Sequence, residues 1–184
     1  AYFLASAGQT NPVILTKAEY RRQFTKGTYL TGYFNYNILK NLVFRSTLGF
    51  DNTVTEQDLF YSKITGTARN AASLPVASIG EQNNRTISNS NTLQYSVNDY
   101  KKHHDLTVLV GQEIIDIRVQ NSFFQTNYFP ADISPEKALA NMGLGSAPTG
   151  SSQPLPFTFI NPASRIASFF GRINYGYDDK YLLT

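Results

Sequence analysis

The sequence predicts an all-β chain: antiparallel up-and-down strands that form part of a transmembrane β-barrel, with long outward loops carrying short helices. Three observations predict this. Apolar and polar residues alternate with a period of two, tight turns take turns with long polar segments, and uncharged polar residues and tyrosines stand where a soluble domain places charge.

Composition comes first because it sets the solvent. The 184 residues include 12 Tyr and 13 Phe, no Trp, no Cys and one Met. Only 16% are charged, against roughly 25% in an ordinary soluble domain. That mix suits sheet surfaces facing lipid headgroups or a wet, uncharged lumen. The net charge of +3 is mild. Its longest basic runs, Arg21-Arg22 and Lys101-Lys102, are too short for a nucleic-acid footprint, so no nucleic-acid partner is expected. Without cysteine there is neither a disulfide framework nor a thiolate metal site. No segment approaches the roughly 20 apolar residues of a spanning helix, and residues 1–7 do not read as a signal peptide.

The elements follow in order. Thr16-Lys17-Ala18-Glu19 is a capping-box pattern and predicts a helical turn or two through Phe24. Next, Leu30, Gly32, Phe34, Tyr36 and Ile38 alternate with Thr31, Tyr33, Asn35 and Asn37. After a tight connection at 39–41, Leu42, Phe44, Leu48 and Phe50 alternate with Arg45, Thr47, Gly49 and Asp51. Side chains alternate across a strand, so one face of each is oily and the other wet. The pattern returns in Leu93, Tyr95 and Val97, then after a turn near 98–103 in Leu106, Val108 and Val110. It returns again in Phe169, Ile173, Tyr175 and Tyr177, and a turn at 178–180 starts a last strand at Tyr181. Ser134-Pro135-Glu136 predicts a second short helix, with cap, proline and acid in favourable positions and Gly143 as its stop.

Long polar segments near 52–86 and 119–164 separate these hairpins. Tight turns on one side and long loops on the other are the arrangement of outer-membrane barrels. The strands are expected to be roughly 9 to 11 residues long, as a tilted span requires. Aromatic residues near their ends (Tyr29, Tyr36, Phe50, Tyr95, Tyr100, Tyr175, Tyr177 and Tyr181) are expected to form interfacial girdles. The competing class is a soluble or surface-exposed β-sandwich that binds carbohydrate, whose oily faces would be buried against each other.

The segment Phe170-Gly171-Arg172-Ile173-Asn174-Tyr175-Gly176-Tyr177-Asp178-Asp179-Lys180-Tyr181-Leu182-Leu183-Thr184 resembles a hairpin of SusC/RagA-type TonB-dependent outer-membrane transporters. His104-Asp105-Leu106-Thr107-Val108-Leu109-Val110-Gly111-Gln112-Glu113 resembles a strand of the same family, and Asn11-Pro12-Val13 and Leu42–Gly49 fit in order and spacing. The likeness implies a barrel of about 22 strands closed by a plug domain, in the outer membrane of a Gram-negative, Bacteroides-type cell. It implies uptake of glycan oligomers or peptides, driven by TonB–ExbB–ExbD, under a SusD-like surface lipoprotein that acts as a lid. Residues 1–184 are then expected to be a partial barrel of roughly six strands, with the plug and the remaining strands outside this sequence.

No catalytic, metal or cofactor site is expected. His103 and His104 are adjacent on a strand, point to opposite faces and read as a polar strand end. Asp178-Asp179 reads as a turn rather than a calcium loop. Asp51, Glu56 and Asp58 read as solvated acids, and no nucleophile elbow or phosphate-binding glycine loop is present. The lumen-facing Arg45 and Arg172 are expected to pair with carboxylates. Candidate contacts to cargo or lid are the loop aromatics Phe60, Tyr61, Phe123, Phe124, Tyr128 and Phe129. Aromatic faces stack on sugar rings, but packing of the loops and contact with a partner are the favoured uses.

Overall fold

A computed structural model describes residues 12–100, 103–178 and 180–184, with the side chains of 98–100 left aside. A short helix, α1 (Pro12–Ala18), leads into β1 (Glu19–Leu39). The two-residue turn Lys40-Asn41 leads into β2 (Leu42–Tyr61). A connection bearing α2 (Gly66–Arg69) precedes β3 (Val76–Tyr100), which is followed by β4 (His104–Thr126). The next connection holds α3 (Pro135–Ala140) and a 3₁₀ turn (Met142–Leu144), then β5 (Phe157–Ile160), β6 (Ser164–Tyr177) and β7 (Tyr181–Leu183). These make one seven-stranded sheet in the order β1-β2-β3-β4-β6-β7, with β5 pairing β4. The topology is the predicted up-and-down meander.

Three expectations change. The strands are far longer than a membrane span needs: β1 to β4 run 21, 20, 25 and 23 residues. Much of 52–86 is therefore strand rather than loop. Outside hydrocarbon neither face must be oily, so Thr, Gln and Asn occupy both sides and the period-two signal fades while backbone pairing continues. The first helix also lies earlier than predicted. It ends at Ala18, Tyr20–Phe24 are strand, and the Thr16 hydroxyl donates to the Val13 carbonyl at 2.9 Å instead of capping. Arg45 stacks over the Tyr33 ring at 4.8 Å, and neither Arg45 nor Arg172 is in the ion pairs found among the described residues. The second helix is as predicted: Ser134 Oγ accepts from the Lys137 amide at 3.3 Å. Its cap residue at the far end is Asn141, with Gly143 inside the 3₁₀ turn.

The chain divides into two compact units. The first comprises residues up to Lys26 with Val54–Asn83 and Gln120–Ile160. It has a small core of Phe60, Ala77, Phe129 and Ala138, flanked by Tyr20, Ile133, Leu139 and Met142. The Phe129 amide donates to the Pro75 carbonyl at 3.2 Å. Gln153 clamps the same segment, accepting from the Asn127 amide at 2.8 Å and donating to its carbonyl at 2.9 Å. A Cβ at Gly145 would collide with Asn127 and Thr126, so that close approach requires glycine.

The second unit comprises Gly27–Thr53, Asn84–Val119 and Asn161–Thr184. Its apolar side chains have no second layer above them: Leu48 is 59% exposed, Val110 51%, Ile173 58% and Phe169 83%. A β-sandwich would bury these against a second sheet, and among the described residues there is a single sheet. The opposite face is wet. Thr107 meets Ser96 at 3.5 Å, and the Phe170 ring covers the site where a Cβ on Gly111 would stand. A ladder of amides interrupts the oily face. The Asn91 amide donates to Asn89 at 2.6 Å and to Gln112 at 3.2 Å, and the Asn89 amide donates in turn to the Ser46 hydroxyl at 3.4 Å and the Thr47 carbonyl at 3.3 Å.

At the tight-turn end Tyr175, Tyr177 and Tyr181, three of the aromatic residues noted near strand ends, cluster with His104. The Tyr175 hydroxyl lies 2.7 Å from His104 Nδ1, and the Tyr177 ring sits 5.1 Å from that of His104 and 6.5 Å from that of Tyr181. The turn that follows has Asp178 in the left-handed region at φ 53°, its amide donating to the His103 carbonyl at 2.8 Å. His103 and Lys180 both bond the Asp178 carboxylate and hold it below the usual carboxylate range. Asp179 and the turn residues 101–102 lie outside the described residues.

Candidate functional site

Alternation along β2 puts Thr55 and Gln57 on one side of the strand. In the first unit these two residues line an open groove of about 320 Å³ with Gln23 of β1, Gly80, Glu81 and Gln82 of β3, Asn121, Ser122 and Phe123 of β4 and Phe157 of β5. Cross-strand contacts fix the arrangement. Thr25 and Thr55 hydroxyls meet at 3.3 Å, the Phe123 ring lies over Gly80, and Phe123 stands directly opposite Phe157 with ring centroids 5.5 Å apart. Amide side chains, the Glu81 carboxylate and a pair of rings line the groove together.

Phe157 reaches this face because of an offset in the ladder. β6 pairs β4 with Ser164 opposite Ile117, whereas β5 pairs it with Ile160 opposite Gln120. Three residues, Asn161-Pro162-Ala163, therefore oppose two, Arg118 and Val119. This is a bulge, and proline, which cannot donate to a ladder, belongs in one. The extra residue inverts the facing of everything before it. Phe157 and Phe159 turn to the side of Phe123 and Asn121, while Thr158 and Ile160 turn away.

The six loop aromatics separate. Phe123 lines the groove. Phe60 and Phe129 are 3% and 0% exposed in the core of the first unit and offer no face to a ligand. Phe124 follows Phe123 on the strand, so it points to the opposite side, where it is 40% exposed. Tyr61 is half-buried, and Tyr128 is half-buried with φ 62°, in a segment tied down by the Ser146 amide bonding its carbonyl at 3.2 Å. Sequence reasoning missed the partners of Phe123. Gln23, Gln57, Gln82 and Asn121 carried a signal, alternation of amides along extended segments, but no apolar counterpart marked those segments as strand.

Asp58, considered above as a solvated acid, is buried. It accepts from Arg22 Nε at 3.0 Å and Nη2 at 2.6 Å. That bond, more than the neighbouring charges, raises the guanidinium above its ordinary pKa, and the pair is structural. Among the described residues no group of His, Asp or Glu has the arrangement of a metal site, and no helix is long and apolar enough to cross a membrane, which says nothing about strands.

Comparison with known proteins gives a consistent picture. No family model matches the chain. A TonB-dependent receptor from Formosa agariphila is 28% identical over 176 residues, covering 95% of this chain and 16% of that protein. Among solved structures, the RagAB peptide transporter superposes with a TM-score of 0.72 at 24% identity, covering 96% of this chain and 19% of that one. The RagAB peptide importer in its "open-open" state gives 0.71 at 24% identity, covering 96% and 18%. The chain thus spans less than a fifth of the length of these relatives, and its fold is that of a segment of such a β-barrel. The resemblance to SusC/RagA-type TonB-dependent transporters read from the final hairpin holds along nearly the whole chain.

Proposed function

We propose that this chain is a wall segment, with two outward extensions, of a TonB-dependent importer in the outer membrane of a Gram-negative, Bacteroides-type cell, and that it performs no catalysis. The single observation that carries the reading is the two-sidedness of the second unit, with an uncovered oily face on one side and, on the other, hydroxyls such as Thr107 and Ser96 interspersed with single apolar residues such as Phe170. In lipid every backbone group must bond within the sheet, and a closed barrel with that facing is the form that achieves it. A complete barrel of about 22 strands, a plug engaged by TonB–ExbB–ExbD and a SusD-like lipoprotein lid belong to this reading, supported by the RagAB likeness.

The cargo follows from the groove. Gln23, Gln57, Gln82 and Asn121 both donate and accept, and Phe123 and Phe157 supply a flat apolar face. With the single carboxylate of Glu81 beside them, such a surface binds a polar oligomer that is not anionic, a short peptide or an oligosaccharide. The experiment measures binding of peptide and oligosaccharide pools to the complete importer, comparing wild type with Phe157→Ala and Gln57→Ala. Loss of binding with normal membrane insertion supports the reading. Unchanged affinity for every cargo in both variants removes the groove from the pathway.

A further inference from the structure

The oily face of the second unit ends in charge. Alternation along β4 places Asp116 and Arg118 on the side of Leu106, Val108 and Val110, and alternation along β6 places Arg165 on the side of Phe169 and Ile173. Asp116 stands directly opposite Arg165. Its two oxygens hold two guanidinium groups, Oδ1 accepting from Arg118 Nε at 2.9 Å and Oδ2 from Arg165 Nε at 2.7 Å. A third arginine joins them. The contacts Asn91–Gln112 and Ser96–Thr107 fit one antiparallel register between β3 and β4, and in it Arg85 stands opposite Arg118. Arg85, exposed, lies on the side of Leu93, Tyr95 and Val97.

The cluster therefore holds three guanidinium groups against one carboxylate, on the face that is otherwise apolar. Its height on that face is informative. From Tyr175 in the aromatic cluster to Arg165 is ten residues along β6, about 33 Å of strand and about 25 Å of height at the usual tilt. That is the thickness of the apolar band of a barrel, so the arginines stand at its outward margin, level with lipid headgroups. Asp116 engages each guanidinium through one Nε–H, and a guanidinium has five N–H donors in a fork that matches phosphate oxygens. A carboxylate alone cannot neutralise three cations. An anion from the bilayer can.

We propose that Arg85, Arg118 and Arg165 form a docking site for a phosphate-bearing lipid headgroup of the outer leaflet, beside an Asp116 that engages only one N–H of each of two of them. The inference rests on the reading that this face meets lipid.

The test uses the complete importer in nanodiscs containing phosphatidylcholine with a minority of phosphatidylglycerol, and reads by mass spectrometry the anionic lipid retained after detergent exchange. Wild type is expected to enrich phosphatidylglycerol. The variant R85Q/R118Q/R165Q is expected to lose about tenfold or more of that enrichment, since a charge-assisted bond contributes roughly that factor. R85Q alone, which leaves the Asp116 pairs intact, should lose part of it. D116N should keep or increase it, because the change adds net positive charge. A merely structural cluster would reverse that pattern, with D116N damaging and R85Q silent. Equal enrichment in all variants that insert normally overturns the docking site and leaves the importer reading standing. Failure of the wild type to enter nanodiscs overturns both.

Discussion

The two units use one kind of strand against two kinds of solvent. In the first, apolar side chains are covered by the protein itself: Phe60 and Phe129 lie under 5% exposed beside Ala77 and Ala138. In the second, leucines, valines and phenylalanines of the same meander stay open on one face. A sheet that leaves such residues uncovered needs an apolar medium, whereas a small internal core needs only water outside. The difference teaches that burial, read residue by residue, separates the part of the meander that covers itself from the part proposed to face lipid.

Substitutions can break or sharpen this contrast. Phe129→Ala in the complete protein should cost the first unit about 3–5 kcal/mol, seen as rapid proteolysis of the 127–153 segment while the barrel keeps its heat-modifiable migration on gels. Loss of that migration instead would mean the two units do not separate as described. Val108→Arg, in the open oily face, should cost about 2–4 kcal/mol of membrane stability, whereas Thr107→Arg, one position along and facing the lumen, should cost little. Equal costs in a refolding titration would remove the inside–outside assignment. Ser134→Ala removes the cap of α3 and should cost about 1 kcal/mol, visible as faster amide exchange across 135–140.

The smallest expected effect is one of pH. Lys63 bonds Asp132 at 2.8 Å and holds its carboxyl below the usual range. A depressed carboxylate contributes stability that is present above its ordinary pKa of about 3.9 and is lost as pH falls through the lowered value. Both partners are exposed, so salt screens the pair. Amide exchange near 130–133 should rise below about pH 4 in the wild type and change less in Asp132→Asn.

What the sequence made legible follows from the same contrast. The spans around 30–38, 42–51, 93–97, 106–110 and 169–177 stood out because lipid on one side and water on the other force alternation. The hairpins were visible in the turns Lys40-Asn41 and 178–180, and α3 in Ser134 and Pro135. The strand extensions through 52–61 and 76–86 were not, because both of their faces are polar enough for a loop. Of the groove, Phe123 was legible as a loop aromatic. Its neighbours were not, since which residues share a face depends on register, and Phe157 depends on a bulge that no alternation announces.

That bulge decides which side chains of β5 the groove presents. Were Asn161-Pro162-Ala163 drawn into one continuous register with β4, Thr158 would stand opposite Phe123, and Phe157 and Phe159 would turn to the other side of the wall. Deleting one of the three would instead leave two residues against two and keep Phe157 opposite Phe123. One backbone irregularity, with no groove side chain altered, thus selects between a pair of rings and a threonine.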